Sequence, residues 1–338
     1  MQAFQIIDHF GLDQLKKTDL PDPKLERETD VILEVDAVSL NFRDLMTVEG
    51  HYNPDQPLPL IPCSDASARV IETGPRVSRV SIGDRVSPIF NQRWIAGQPD
   101  RVQLRSTLGG PLPGTLARRM RLSEEGVVLL PDYLEPQEGA TLGCAAVTAW
   151  NALTSWGGIE AGQRVLVQGS GGVATFAVRL ASAMGAEVYV TSSSDNRLER
   201  LHELGAHYLL KRDESWSRNL LELTGGQGVD RIVELGGAES LPKSVEAVRP
   251  NGTIVLIGVL SGIQSDLNIV PLLMKQVRIQ GILVGSRQDF ERMNAALEVS
   301  GIRPVIDRVY PFEEAPKAFT RMREGKHFGK IVIDLEAL

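Results

Sequence analysis

Cysteine is scarce in this sequence, since only Cys63 and Cys144 occur among its 338 residues. A structural zinc loop takes four closely spaced thiolate or imidazole ligands, and two isolated cysteines do not supply a four-cysteine set. The same scarcity disfavours a disulfide framework. Any metal bound here would therefore need other ligands.

The sequence also lacks long apolar runs and an excess of basic residues. No run approaches the roughly 20 apolar residues that a bilayer span requires, and the first residues lack the basic-then-apolar order of a signal peptide. The 36 basic and 43 acidic residues give a net charge of -7, which disfavours binding to nucleic acid or to a membrane surface. We expect a cytoplasmic protein whose partners are small molecules.

Two kinds of pattern follow one another along the chain. Residues 1–125 contain stretches such as "VILEVDAVSL", whose alternation of apolar and polar residues predicts β-strands. From Arg164 onward, strands and helices alternate, which is typical of a parallel sheet covered on both faces. The predicted strands are Arg164 to Gln168, Glu187 to Thr191, Tyr208 to Leu210, Arg231 to Leu235, Thr253 to Val259 and Arg278 to Val284.

These patterns predict an α/β fold with two domains. Six parallel strands complete a doubly wound sheet, so residues 126–299 are predicted to form a nucleotide-binding domain. The last strand, "KIVIDL", is then expected to return to the N-terminal β domain, which would comprise residues 1–125 and 300–338. Residues 91–114 are rich in Gly and Pro without periodicity, and we predict that they form a lid or a wall of the substrate site.

The stretch "RVLVQGSGGVATFAV" carries the strongest chemical signal. A predicted strand ends at Gln168, and Gly169, Gly171 and Ala174 then fit the GxGxxG/A pattern at the start of a helix. Glycine lets a pyrophosphate approach the backbone N–H groups of the helix N-terminus. An ordinary strand-to-helix turn is the alternative, but the flanking strands and helix favour a cofactor site. The predicted contacts are Gly169, Ser170, Gly171, Gly172, Val173 and Ala174.

The end of the next predicted strand indicates which nicotinamide cofactor binds. NAD-binding proteins place Asp or Glu there to bind the ribose hydroxyls, whereas this strand ends in Ser192, Ser193 and Ser194, followed by Arg197. Hydroxyls and a guanidinium suit the 2′-phosphate of NADP(H). Asp195 is the competing observation, although a Ser/Asp pair before a helix is also expected as an N-cap.

The motifs together resemble those of the medium-chain dehydrogenase/reductase superfamily over essentially the whole chain. They are "GDRV", "ATLGCAAVTAWNAL", "VLVQGSGGVA", "VELGG", "TIVLIGVLSG" and "HFGKIVI". The resemblance implies a GroES-like β domain that carries substrate contacts and a Rossmann domain that binds the cofactor.

Zinc-dependent members of this superfamily hold a catalytic metal with Cys, His and Cys. On this chain those positions carry Asn41, Ser64 and Cys144. One thiolate with a hydroxyl and an amide is a poor ligand set for zinc, so we expect no catalytic zinc. The sequence then resembles the zinc-free quinone oxidoreductase (zeta-crystallin-like) and 2-enoyl thioester reductase branches. In these, hydride passes from NADPH to a carbon–carbon double bond that a carbonyl activates.

Two residues are predicted to be catalytic by this resemblance. Tyr52 matches a tyrosine with which enoyl reductases donate to the substrate, although a tyrosine packed under the loop is the alternative. Asn41 occupies the former metal-ligand position, where it would reach the cofactor or substrate unless it only satisfies a turn. His51 is expected to be exposed. Asp44 is expected to hold the loop, through Arg43.

The resemblance implies further contacts to the cofactor. Thr148 follows Cys144 on the helix that approaches the nicotinamide in the family, and Cys144 itself is expected to be a small buried residue. Carboxyl ends of parallel strands bind ligands, which suggests the set Gly236, Gly237, Gly258 and Val259. The remaining predicted contacts, to nicotinamide or phosphate, are Ser286 with Arg287, and Lys330.

Two surface features complete the predictions. Arginines cluster around the loop, at Arg93, Arg101, Arg105, Arg118, Arg119 and Arg121. They could bind an anionic substrate, but a solvated charged rim is the simpler explanation. The apolar sixth strand, "VRIQGILVG", could pair with a second copy and form a homodimer.

The sequence therefore predicts a zinc-independent, NADPH-dependent oxidoreductase that reduces a quinone or an α,β-unsaturated carbonyl compound. An NAD(P)-dependent alcohol dehydrogenase is the alternative enzyme, because the fold alone suggests it. A nucleotide-binding protein without turnover is a further alternative, since a glycine loop indicates binding more directly than chemistry.

Overall fold

The computed structural model describes residues 1–336. Its strands are β1 (Gln2–Ile6), β2 (Leu15–Asp19), β3 (Asp30–Leu40), β4 (Asp65–Thr73), β5 (Arg85–Pro88), β6 (Arg119–Ser123), β7 (Val127–Leu129), β8 (Arg164–Gln168), β9 (Glu187–Ser192), β10 (Tyr208–Lys211), β11 (Val229–Glu234), β12 (Val248–Leu256), β13 (Arg278–Gly281), β14 (Ile306–Pro311) and β15 (Lys330–Asp334). Its α-helices are α1 (Phe42–Val48), α2 (Arg101–Leu104), α3 (Pro136–Gly139), α4 (Val147–Thr154), α5 (Gly172–Ala183), α6 (Asp195–Glu203), α7 (Trp216–Leu223), α8 (Leu241–Ala247), α9 (Val270–Lys275), α10 (Arg287–Ser300) and α11 (Ala315–Arg323). Within these residues, no helix combines the length and the apolar character needed to cross a membrane.

The chain divides into two compact units, Met1–Val147 with Val284–Leu338, and Thr148–Leu283. The first unit extends further at both boundaries than the predicted β domain of residues 1–125 and 300–338. Two contacts explain the difference. Strand β7 pairs with β5, and the Asn294 side chain of α10 donates to the Leu129 carbonyl of β7 at 2.8 Å. Both flanking segments therefore pack with the β domain.

The second unit, Thr148–Leu283, contains a six-stranded sheet in the order β10–β9–β8–β11–β12–β13. Every neighbouring pair is parallel. Val165, Leu166 and Val167 of β8 are fully buried, as expected for a central strand that is covered on both faces. The predicted doubly wound sheet is confirmed, although the ends of several strands differ from the prediction.

Helix α5 follows β8, where the sequence predicted a helix, and buries the apolar face of its residues. Phe176, Ala177, Leu180 and Ala181 have at most 2% of their surface exposed. Val173 is only half-buried, because it lies in the first turn, where the helix meets the loop. The packing of this face fixes the helix N-terminus against the carboxyl end of β8.

The first unit is built on a seven-stranded sheet in which the 11-residue β3 is central. One edge of β3 pairs with β4, while the other pairs first with β6 and then with β15. Ile331 of β15 lies opposite Leu40 of β3, in antiparallel register. The predicted return of the last strand to the β domain is therefore confirmed.

Residues 91–114 form an ordered loop in this unit. Asp100 begins α2 by accepting from two backbone N–H groups at 2.8 Å. The Arg43 side chain donates to the carbonyls of Leu108 at 2.8 Å and Gly110 at 3.1 Å. The loop is thus tied to α1, which begins directly after β3.

Candidate active site

The glycine-rich loop joins β8 to α5 in the second unit. Gly169 has a φ of 79°, a left-handed conformation that favours glycine. A Cβ added to Gly171 would meet no protein atom within 4 Å, so internal packing does not require this glycine. The first N–H groups of the 12-residue α5 have no intrahelical partner and carry partial positive charge. The loop therefore presents donors beside open space, as an anionic pyrophosphate requires.

Glu234, at the end of β11, organises the neighbouring turn and was missed by the sequence reasoning. Its fully buried carboxylate accepts from the N–H groups of Gly236 at 2.9 Å and Gly237 at 3.1 Å, and from Gln168 Nε2 at 2.8 Å. Two serine hydroxyls also donate to it. An acidic residue inside the apolar run "RIVELGG" was the available signal. Glu234 fixes the turn relative to the end of β8.

The predicted cofactor glycines at the ends of β11 and β12 are required by packing. A Cβ on Gly236 would lie 2.2 Å from the Ser240 hydroxyl oxygen, and one on Gly258 would lie 2.0 Å from the Leu235 carbonyl oxygen. Val259 is 41% exposed. The fold thus explains both glycines without a ligand, and their part in cofactor binding stays a prediction.

The segment after β9 holds the residues predicted to recognise the ribose phosphate. Ser192 is buried, Ser193 is exposed, and Ser194 is the N-cap residue of α6, although its side chain makes no cap hydrogen bond. Arg197 is half-buried in the first turn of α6. The structure brings the serines and the arginine to the start of one helix, at the carboxyl end of a central strand.

Lys211 adds a second cation to this segment. It ends β10 and lies opposite Ser192 in the sheet register. Its Nζ donates to both carboxylate oxygens of Asp195 at 2.7 Å. Asp195, the residue that favoured NAD over NADP(H), is therefore paired with Lys211, which offsets its negative charge.

A polar cluster lies in the first unit, where β3, β4 and β15 meet. Asn41 directly follows β3, and its backbone N–H donates to Asp44 Oδ2 at 2.8 Å. The Lys330 Nζ donates to the Leu40 carbonyl at 2.8 Å and to Asn41 Oδ1. Asn41 Nδ2 donates in turn to Ser64 Oγ at 3.3 Å. Lys330 is thus buried beside a predicted catalytic residue, and its predicted contact with the cofactor stays a prediction.

Both acidic and basic side chains are buried in this cluster. Burial raises the pKa of Asp44 to about 6, and the Arg43 charge opposes that shift. Burial also raises the pKa of Asp65, against the charge of Lys330, which lies 3.6 Å from Asp65 Oδ2. Two carboxyls and two cations therefore face each other in a site from which water is largely excluded.

Tyr52 is connected to this cluster through Arg43. The Arg43 guanidinium lies 4.7 Å from the centre of the Tyr52 ring and 3.3 Å from Asp44 Oδ1. Tyr52 lines a cavity of about 170 Å³ between α1 and the 91–114 loop. Other side chains around this cavity are Thr47, Asn53, Gln56, Leu104, Arg105 and Thr107.

Comparison with known proteins identifies the family. Residues 27–132 match the model of the alcohol dehydrogenase GroES-like domain, and residues 172–298 match that of the zinc-binding dehydrogenase. A "Zinc-type alcohol dehydrogenase-like protein" of Schizosaccharomyces pombe is 35% identical over 334 residues, which cover 96% of each chain. The chain belongs to the medium-chain dehydrogenase/reductase superfamily. It is an oxidoreductase of that superfamily.

Solved structures of this superfamily match almost the whole chain. A putative alcohol dehydrogenase from Sinorhizobium meliloti 1021 has a TM-score of 0.92 and 40% identity, over 99% of this chain and 98% of that one. A structure described as an NAD-dependent alcohol dehydrogenase has a TM-score of 0.91 and 28% identity, over 99% of this chain and all of the other. These matches agree with the predicted pair of GroES-like and Rossmann domains.

The residues at the zinc positions of the superfamily do not fit a zinc ion. Asn41 uses its amide oxygen to accept from the Lys330 ammonium, whose charge would repel a metal cation. Ser64 accepts from Asn41, and burial raises the pKa of the Cys144 thiol far above its usual value, which disfavours the thiolate that zinc binds. Within residues 1–336, no three His, Cys, Asp or Glu side chains are grouped as metal ligands.

The structure also places the other predicted site residues of this oxidoreductase. The Ser286 hydroxyl donates to Asp289 Oδ2 at 2.6 Å at the start of α10, and Arg287 pairs with Glu125. Thr148 is buried in α4. His51 is exposed, as expected. Ser286 and Arg287 thus contact Asp289 and Glu125 and are not part of the polar cluster around Asn41. Their contacts to the cofactor, and that of Thr148, stay predictions.

The predicted arginine cluster separates into two groups. Arg119 and Arg121 on β6 pair with acids, among them Asp22 at 3.0 Å for Arg119, and Arg118 donates to the Leu335 carbonyl at 2.8 Å. Arg93, Arg101 and Arg105 lie on the 91–114 loop. Of the six arginines, Arg105 lines the cavity beside Tyr52.

Proposed function

We propose that the protein is a zinc-independent, NADPH-dependent oxidoreductase that reduces a quinone or an α,β-unsaturated carbonyl compound. The observation that carries this proposal is the Lys330 ammonium against Asn41, at a position where zinc relatives have a metal ligand. Without a Lewis acid, oxidation of an unactivated alcohol loses its usual means of stabilising an alkoxide. Reduction of a conjugated carbonyl needs only hydrogen-bond donors for its oxygen and a proton for carbon.

The second unit supports the proposed cofactor. The N–H groups at the start of α5 would hold the pyrophosphate, with Gly171 leaving room for it. Ser193, Ser194 and Arg197 would hold the 2′-phosphate, and Lys211 adds a cation that the sequence reasoning did not include. Bound NADPH would supply a hydride from its nicotinamide.

The first unit supports the proposed substrate chemistry. As a conjugated carbonyl accepts hydride, negative charge develops on its oxygen, and preorganised donors stabilise that charge. The Asn41 amide and the Tyr52 hydroxyl are the groups that we assign to this oxygen and to proton delivery. Arg43 contacts the Tyr52 ring and Asp44, and Asp44 in turn accepts from the Asn41 backbone N–H, so one chain of contacts links the two residues.

Two alternatives follow from the comparisons and from the loop. Several relatives are described as alcohol dehydrogenases or as similar to them, one of them as NAD-dependent, and this similarity favours alcohol oxidation. Stoichiometric zinc in purified protein, with chelator-sensitive alcohol oxidation, would contradict our proposal. A protein that only binds the nucleotide would show affinity for NADPH without consuming it.

We also propose a homodimer formed by the second unit. Strand β13 is the last strand of its sheet, so one of its edges has no neighbour within residues 1–336. In the segment that joins β12 to β13, Ile263, Ile269, Leu273 and Met274 each have at least 70% of their surface exposed. Exposed apolar side chains together with an open strand edge favour pairing with a second copy.

The decisive experiment is a screen of NADPH and NADH oxidation against quinones, enones and enoyl thioesters. We expect consumption of NADPH with at least one conjugated acceptor and no gain on adding zinc. Metal analysis of the same preparation provides the control. Oxidation of simple alcohols in the absence of any turnover with conjugated acceptors would overturn the proposal.

A further inference from the structure

Lys330 places an ammonium group inside the first unit, where a charged side chain is costly unless it is paired. Only 3% of this residue is exposed. Its Nζ donates to the Leu40 carbonyl at 2.8 Å and to Asn41 Oδ1, and it lies 3.6 Å from Asp65 Oδ2. The first two groups accept hydrogen bonds from the ammonium, and the Asp65 carboxylate lies at ion-pair distance, so the charge of Lys330 is paired inside the unit.

The contact with Lys330 determines which way the Asn41 amide faces. An ammonium group only donates, so the Asn41 atom beside it must be the amide oxygen. The amide nitrogen then points to the other side, where it lies 3.3 Å from Ser64 Oγ. A rotation of the amide by half a turn would bring its N–H groups against the ammonium. Asn41 is therefore held as a donor on the side away from Lys330.

The same contact strengthens Asn41 as a donor. A cation at the amide oxygen polarises the amide and makes its N–H groups better donors, and the effect is larger where little water is present. Asp65 compensates the buried ammonium at 3.6 Å without accepting a hydrogen bond from it. The positive charge of Lys330 therefore acts on the site indirectly, by polarising the Asn41 amide.

We infer that Lys330 is a positioning residue for turnover, which orients and polarises the Asn41 amide as a donor to the developing oxyanion of the substrate. This inference rests on the proposed function. It assigns to Lys330 a role in the chemical step, whereas a contact with a cofactor phosphate would make Lys330 a binding residue.

The variant Lys330→Met tests this role, because it removes the ammonium group and keeps most of the length of the side chain. We expect kcat with the acceptor found in the screen to fall by about tenfold or more. The Kd of NADPH, measured by fluorescence titration, should change by less than about twofold, since no cofactor contact is lost. Lys330→Arg keeps a donor-only cation and should recover part of kcat. Lys326→Met removes the same charge from an exposed position of the same segment and is the matched control.

A double variant separates positioning from an independent contribution. Because Lys330 acts through Asn41, Lys330→Met combined with Asn41→Ala should lower kcat no further than Asn41→Ala alone. Should Lys330→Met fail to fold, Lys330→Gln offers a neutral donor at the same place and should give a kcat below that of Lys330→Arg.

Three results would contradict the inference in distinguishable ways. A Kd for NADPH raised about tenfold with kcat unchanged would assign Lys330 to cofactor binding. Losses in kcat that multiply in the double variant would show that Lys330 does not act through Asn41. If the parent protein consumed NADPH with none of the acceptors, the proposed function would fail and the role of Lys330 with it.

Discussion

The guanidinium of Arg43 lies 4.7 Å from the centre of the Tyr52 ring, so that a fixed cation covers one face of a partly exposed aromatic side chain. Arg43 is itself held by the Leu108 carbonyl at 2.8 Å and by Asp44 at 3.3 Å. Cation–π contact and the hydrogen bonds of Arg43 together restrict the orientation of Tyr52. A restricted orientation is what a residue needs if its hydroxyl is to meet a substrate reproducibly.

Tyr52→Phe removes the hydroxyl and keeps the ring over Arg43. If Tyr52 donates to the substrate, kcat should fall by about a hundredfold or more, which is the usual contribution of a positioned acid or donor. The midpoint of urea unfolding should stay unchanged, since the Tyr52 hydroxyl makes no hydrogen bond to any protein group within residues 1–336. Stopped-flow measurement of NADPH oxidation separates the chemical step from product release.

Tyr133→Phe provides the contrasting control. The Tyr133 hydroxyl donates to the Ile302 carbonyl at 2.6 Å, away from the cavity that Tyr52 lines. This variant should lower the unfolding midpoint and leave kcat unchanged. A Tyr52→Phe protein with full kcat would show that Tyr52 only packs against Arg43.

Cofactor choice can be measured at the start of α6. Arg197→Ala and Lys211→Ala should each weaken NADPH binding by about tenfold and affect NADH little, because a charge-assisted contact to a phosphate contributes roughly 1–2 kcal/mol. Lys211→Ala also leaves Asp195 without its cation, which would favour NADH further. Side-by-side titrations with both nucleotides check this expectation. Tenfold tighter binding of NADH than of NADPH by the parent protein would contradict the proposal that the serines and Arg197 bind the 2′-phosphate.

The parts of the molecule that the sequence predicted are those that local signals determine. The glycine pattern, the strand before it and the apolar face of α5 all lie within about 20 residues, and the period of each element was readable. The six strands of the second unit followed from the same alternation. Their order was predictable because parallel strands with helical crossovers have few allowed arrangements.

The polar cluster was only partly predictable, because its members meet through tertiary pairing. Lys330 reaches Asn41 only because β15 pairs with the end of β3, across 290 positions of sequence between Lys330 and Leu40. Asn41 was identified from the family pattern, but no local signal shows that an ammonium group faces it. The same holds for Lys211, which faces Asp195 through the pairing of β10 with β9.

Two glycines of the 91–114 loop offer a matched test of how closely this loop packs. Gly97 and Gly109 both have a φ of 70°, so alanine costs backbone strain of about 1 kcal/mol at either position. A Cβ at Gly109 would also lie 2.5 Å from the Cys63 carbonyl oxygen, whereas one at Gly97 would meet no atom within 4 Å. Gly109→Ala should therefore destabilise the protein by clearly more than Gly97→Ala in urea unfolding. Equal unfolding midpoints of the two variants would show that the loop does not pack closely against the Cys63 carbonyl.

The raised pKa of Asp44 predicts a pH dependence of stability. Burial moves this pKa from its usual 3.8 to about 6, so the folded protein binds the proton more tightly than the unfolded chain. Between these two pKa values, a rise in pH ionises Asp44 more readily in the unfolded chain than in the folded protein, so the free energy of unfolding falls. The stability that the tighter proton binding contributes is fully lost above about pH 6. The side chain of the Asp44→Asn variant cannot ionise. Its free energy of unfolding, relative to that of the parent, should therefore rise by at most about 3 kcal/mol from pH 4 to pH 7.

Urea unfolding of both proteins at the two pH values measures this difference. Other titrating groups, including Asp36, are present in both proteins and cancel in the comparison. Asp8→Asn removes one exposed acidic charge and serves as the reference. A gap between parent and Asp44→Asn that stays constant over this range would show that Asp44 does not titrate there.

Assembly can be tested at the apolar surface beside β13. Leu273 is 75% exposed within the chain, and a glutamate there would place a charge in the proposed interface. Light scattering after gel filtration should give the parent about twice its chain mass of 37.0 kDa and Leu273→Glu a mass near that of one chain. Val299→Glu, at a 92% exposed position on α10 in the other unit, should leave the dimer intact. A parent protein that remains monomeric at micromolar concentration would mean that another partner, or solvent, covers this surface.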